Sequence, residues 1–122
     1  MAGKLSAKTL ALKPRFRVVC RTNIALGPGK VELLALVGET GSIGEAARRM
    51  DMSYMRAWKL IQTMNECFKL PLIRAVRGGK KGGGAELTES GRKALELYQQ
   101  LEEESLRATE STWKVLQRLL QD

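Results

Sequence analysis

Histidine is absent from all 122 residues. That removes the commonest general base and the commonest metal ligand. Cysteine is scarce as well. Cys20 and Cys67 lack the paired spacing of a zinc site and read as buried, reduced thiols of a cytoplasmic protein. Long apolar runs are missing: the best, over 31–37, is broken by Glu32 and falls short of the ~18 residues a membrane helix needs. The amino-terminal residues carry Lys4, Lys8 and Lys13 without an apolar stretch, so no signal peptide is expected. Glu102, Glu103 and Glu104 are consecutive, which spreads them around a helix instead of converging them on a site. Together these absences point away from an enzyme, a metal site, a bound cofactor and a membrane partner.

What the chain has is positive charge. Lys and Arg number 21 against 13 Asp and Glu, a net charge of +8, which favours a polyanionic partner. The excess is uneven: 16 basic residues against 5 acidic over 1–85, then 5 against 8 over 86–122. The first part is therefore suited to meet an anion and the last part to another role. With 43% hydrophobic and 28% charged residues, the length fits one globular domain.

Residues 1–14 read as a loose basic tail ending at Pro14. Phe16, Val18, Cys20, Thr22, Ile24 and Leu26 then recur with period two, which predicts one strand with a buried face, broken by Gly27-Pro28-Gly29. A helix is predicted over 30–39, stopped by a left-handed Gly41. Ser42 and Glu45 form a capping box for a second helix to about Met50, burying Ile43, Ala46, Ala47 and Met50. After the turn at Asp51 and Met52, Ser53 can cap a third helix. Its apolar face would be Tyr54, Ala57, Trp58, Ile61, Met64 and Phe68, its polar face Met55, Arg56, Lys59, Gln62 and Thr63. On this reading Trp58 is a core residue, and Tyr54 is either core edge or phosphate contact. A short strand over 72–76, a glycine-lysine run and a return strand over 85–87 suggest a hairpin. Thr88 can cap one last long helix. Its seam Ala94, Tyr98, Leu101, Ser105, Ala108, Thr112, Val115 and Leu119 has the 3.5-residue repeat of a coiled coil.

Two short helices joined by a tight turn are a helix-turn-helix candidate, whose second helix fits the DNA major groove with its first residues at the base edges. Those residues are Ser53, Tyr54, Met55, Arg56 and Lys59. Arg56 has the two-pronged donor geometry for a guanine edge, whereas Ser53 and Lys59 suit phosphates. The blander possibility is a solvated face of an ordinary helical pair. Arg77, Lys80 and Lys81 among five glycines form the expected wing, where the backbone can approach a sugar-phosphate strand. A nucleotide-binding loop is not matched, because Lys80 is followed by Lys81 where Ser or Thr is required.

Gly41-Ser42-Ile43, Ser53-Tyr54-x-x-Ala57-Trp58, Asn65 and the run from Gly78 through Gly84-Ala85-x-Leu87-Thr88-x-x-Gly91 resemble the amino-terminal domain of ModE-type molybdate-responsive transcriptional regulators, a winged helix related to the LysR type. The resemblance covers roughly 16–108. It implies a mainly α, α+β winged helix-turn-helix, with an N-terminal strand, a β-hairpin wing and a long C-terminal dimerisation helix. It implies a homodimer on double-stranded operator DNA, with Ser53, Tyr54, Met55, Arg56, Lys59, Arg77, Lys80 and Lys81 as DNA contacts. Leu34, Tyr98, Leu101, Ala108, Val115 and Leu119 are the expected dimer contacts. The expected divisions are a tail over 1–14, a DNA-binding domain over 15–90 and a dimerisation helix over 91–122. Full-length members carry carboxy-terminal molybdate-binding domains; no strand pattern follows the last helix here, so a stand-alone DNA-binding form or a fragment is expected. The competing functions are a protein-interaction module that kept the fold and a small oxyanion sensor.

Overall fold

The period-two segment is a hairpin and not the single expected strand. In the computed structural model, which describes residues 10–77 and 84–121, β1 (Val18–Cys20) runs antiparallel to β2 (Asn23–Leu26), with Cys20 opposite Asn23 and Val18 opposite Leu26. The chain reverses at Arg21, whose φ of 58° lies in the left-handed region. The reversal breaks the alternation that a continuous strand would have kept. Leu26 is buried at 4% exposure and Phe16 and Cys20 are partly covered, but Val18, Thr22 and Ile24 face solvent. The Cys20 thiol lies 3.8 Å from the Cys67 carbonyl oxygen, and both cysteines are free and half-buried.

Helix α1 (Pro28–Thr40) starts with proline at its first position, where no backbone N–H is needed, and buries Leu33, Leu34 and Val37. It stops as expected at Gly41, with φ 72° and ψ 17°, whose N–H donates to the Val37 carbonyl at 2.8 Å. Helix α2 (Ile43–Arg49) is capped by Ser42 Oγ, which accepts the Glu45 N–H at 3.0 Å. The reciprocal half of the box is replaced: the Ser42 N–H donates to Thr40 Oγ1 at 3.2 Å, and Glu45 pairs with Arg48 and Arg49. Ala46 and Ala47 are buried, with Ile43 and Met50 packed around the core. Asp51, at φ 56°, turns the chain into α3 (Tyr54–Cys67).

Helix α3 buries Ala57, Ile61 and Met64, flanked by Leu60 and Phe68. Trp58, expected in the core, is 41% exposed. The buried stripe is rotated toward Leu60, which the hydrophobic pattern alone did not separate from the Trp58 side. Strands β3 (Ile73–Val76) and β4 (Gly84–Leu87) pair antiparallel, Ile73 against Leu87 and Val76 against Gly84. Thr88 Oγ1 accepts the Gly91 N–H at 3.0 Å and donates to the Pro71 carbonyl at 2.6 Å, capping α4 (Glu89–Ala108). The single long last helix that was expected is divided. Thr109, with φ −104° and ψ 5°, separates α4 from α5 (Glu110–Gln117), and the chain stays helical beyond Glu110.

Two compact units divide the chain: Phe16–Tyr98, which includes the first half of α4, and the residues before and after it. The first is closed by Tyr98, 2% exposed, whose hydroxyl donates to the Phe16 carbonyl at 2.8 Å. Helices α1, α2 and α3 around one core, with the β3–β4 hairpin and the start of α4, make this unit a winged helix-turn-helix.

Candidate nucleic-acid interface

The first turn of α3 presents the expected residues to solvent. Ser53 Oγ accepts the Arg56 N–H at 3.1 Å, which fixes where the helix begins and leaves the hydroxyl proton available to an acceptor. Tyr54 is 55% and Met55 57% exposed, and Arg56, Lys59 and Gln62 face outward with them. Ser53, Met55, Arg56, Lys59, Leu60 and Thr63 line a hollow of about 400 Å³ along this face. The core side of the two helices is built partly from alanine: Ala46 and Ala47 of α2 and Ala57 of α3 are buried with Ile61 and Met64, while Tyr54, Met55, Arg56 and Lys59 face outward.

Charge pairing separates these cations from others nearby. Arg48 and Arg49 pair with Glu45 and Glu39, and Arg74 pairs with Glu86 across β3 and β4. The hydrogen bond from the Arg48 guanidinium holds the Glu45 carboxyl below the usual carboxylate range. Arg56 and Lys59 make no side-chain ion pair among the described residues, so no contact neutralises the positive charge at the start of α3.

The base of the wing is tied to the helix-turn-helix. The Ala85 N–H donates to the Gly41 carbonyl at 3.0 Å, and a Cβ at Gly84 would stand 3.0 Å from that same oxygen. Arg77 follows β3 directly and is exposed. Lys80 and Lys81 lie outside the described residues. Asn65, which entered the sequence reading only as part of a motif, joins the far end of α3 to the wing. Its Oδ1 accepts the N–H groups of Leu72 at 2.8 Å and Ile73 at 3.3 Å, and its Nδ2 donates to the Ile73 carbonyl at 3.1 Å.

The expected dimer contacts separate into two groups. Leu34 and Tyr98, 0% and 2% exposed, are core residues of their own chain and are corrected as direct contacts; they can act only by holding their helices in place. Leu101, Ala108, Val115 and Leu119 are exposed, Leu119 at 80%. Leu97, Leu106, Leu116 and Leu120, which the seam omitted, are exposed beside them in sequence. Among the described residues no helix is long and apolar enough to cross a membrane.

A family model for bacterial regulatory helix-turn-helix proteins of the lysR family matches residues 29–92. The chain is 45% identical over 85 residues to the molybdenum-pterin-binding protein MopB of Rhodobacter capsulatus, covering 70% of this chain and 32% of that protein. It is 41% identical over 78 residues to the molybdenum transport protein ModE of Azotobacter vinelandii, covering 64% and 29%, and 38% identical over 71 residues to the DNA-binding transcriptional dual regulator ModE of Escherichia coli, covering 58% and 27%. The chain thus spans about a third of the length of these relatives. Among solved structures, full-length CbnR in complex with its target DNA aligns with a TM-score of 0.52 at 21% identity, over 69% of this chain and 27% of that one. A ZitR variant from Lactococcus lactis aligns with a TM-score of 0.55 at 18% identity, over 99% and 85%. Both structural likenesses are of fold. Matched from α1 into α4 across more than half its length, the chain belongs to the lysR family of bacterial regulatory helix-turn-helix proteins.

Proposed function

We propose that this protein is a sequence-specific, ModE-like DNA-binding regulator of transcription that acts as a homodimer in the bacterial cytoplasm, with no enzymatic activity. The observation that carries the reading is the capped, outward-facing start of α3, where Arg56 and Lys59 have no acidic partner among the described residues, in a helix-turn-helix of a regulatory family. The start of α3 enters the major groove, Arg56 reads a guanine edge, and Ser53, Tyr54 and Lys59 hold phosphates. Met55 supplies apolar contact. Arg77, Lys80 and Lys81 bring the wing to the neighbouring backbone. The names of the relatives associate this type of domain with molybdenum, and regulation of molybdenum-related genes is the corresponding expectation.

Titration of labelled duplex DNA at several salt concentrations tests the reading. Wild-type protein is expected to bind with a log–log salt slope of about −0.9 per phosphate contacted. Lys80→Ala with Lys81→Ala should weaken binding to every sequence alike and flatten that slope by about 2, one unit per lysine. Binding without salt linkage, or none, would contradict the reading and favour a protein-interaction module.

A further inference from the structure

A groove of about 540 Å³ runs along the flank of α3 that faces the β1–β2 hairpin. Arg17 immediately precedes the hairpin, Asn23 lies in it, Lys30 is in the first turn of α1, and Arg56, Leu60 and Thr63 are on α3. Steps of four and three residues place Arg56, Leu60 and Thr63 one above another on the helix. The same three residues also line the hollow that holds Met55 and Lys59. The groove and the outer face of α3 therefore share a wall and form one continuous surface.

Among the described residues, three cations line the groove and no Asp or Glu does. Lys30 Nζ donates to the Ile24 carbonyl, which holds the ammonium at the groove while its other two protons remain available. Arg17 and Arg56 make no ion pair among the described residues, in contrast to the neutralised Arg48, Arg49 and Arg74. Asn23 and Thr63 add neutral hydrogen-bonding groups of the kind that bind phosphate oxygens. Arg17 and the hairpin, Val18–Leu26, precede the residues that the family model matches.

We propose that the groove is a second DNA-contact surface. It takes the sugar-phosphate backbone of the strand bordering the major groove that α3 enters, with Arg17 and Lys30 as phosphate contacts. Arg56 stands where backbone contact gives way to base contact. The inference rests on the reading that α3 binds duplex DNA, and it gives the hairpin and the residue before it a part in that binding.

The test measures Arg17→Ala and Lys30→Ala in the full chain against several duplex sequences over a range of salt. Each variant is expected to bind every sequence more weakly, to flatten the salt slope by about 1, and to keep the sequence preference of the wild type. Lys30→Arg should restore the slope, and an unchanged thermal midpoint shows that the variants fold. A scan of single uncharged methylphosphonates through the duplex should find backbone positions that weaken wild-type binding but no longer affect Arg17→Ala. Wild-type affinity and slope in both alanine variants would overturn the proposal while leaving α3 as the DNA reader. Absence of DNA binding by the wild type would remove both. Binding of inorganic phosphate that Arg17→Ala abolishes, with duplex binding unchanged, would make the groove a small-anion site and also overturn the proposal.

Discussion

A methyl group at position 91 would stand 2.1 Å from the carbonyl oxygen of Leu72. The opposing atom is backbone, so no side-chain rotation relieves the contact. Gly91→Ala must push the start of α4 away from the segment leading into β3, at a cost of about 1–3 kcal/mol or more. Urea unfolding should show this as a lower midpoint with an unchanged slope; a wild-type midpoint would mean the two segments are less closely packed than described. The reason for this glycine was not legible in the sequence, because it lies in a contact between residues 19 positions apart, Leu72 and Gly91. Gly41, Ser42, Ser53 and Thr88 were legible because their work is local: a left-handed φ or a hydroxyl three residues ahead of an N–H follows from the neighbouring chain alone. Trp58 shows the opposite limit. Helical spacing allowed it on the apolar side, but the hairpin and α1 decide which edge of α3 is covered, and they cover Leu60.

At the scale of elements, α3 and the wing are joined through the three hydrogen bonds of one half-buried amide, Asn65. Asn65→Ala leaves the backbone groups of Leu72 and Ile73 without that partner, and about 1–3 kcal/mol of stability is expected to be lost. Hydrogen exchange should quicken first at the Leu72 and Ile73 amides. Uniform exchange across the fold would instead mean that α3 and the wing open together. Helix existence and order were legible from 3.6-residue periodicity and caps, and so were the two wing strands. Two boundaries were not. The strand pattern over 16–26 could not show its reversal, since Arg21 is a non-glycine residue that turns in the left-handed region. The helix break at Thr109 was hidden because the seam kept its repeat across it. There the Thr109 hydroxyl bonds the Ser105 carbonyl at 2.7 Å, a side-chain competition with the helical backbone.

For the whole molecule, charge and exposed apolar surface are divided along the chain. Uncompensated cations gather at α3 and its neighbouring groove, while exposed leucines occupy α4, α5 and the residues after them. An apolar surface of this kind supports self-association, and a dimer would place two recognition helices about one DNA turn apart. Leu101→Glu puts a charge into that surface and is expected to weaken dimerisation at least tenfold by sedimentation velocity, on the order of 1.4 kcal/mol. A monomeric wild type would remove the dimer from the account. The central claim, that the first turn of α3 reads base edges, is tested most directly by selecting bound duplexes from a random pool in parallel with wild-type protein and Arg56→Ala. The account predicts an imperfect palindrome for the wild type and, for the variant, relaxed preference at one position per half-site with a loss of about 1–3 kcal/mol. The same motif with the same affinity from both proteins would contradict it.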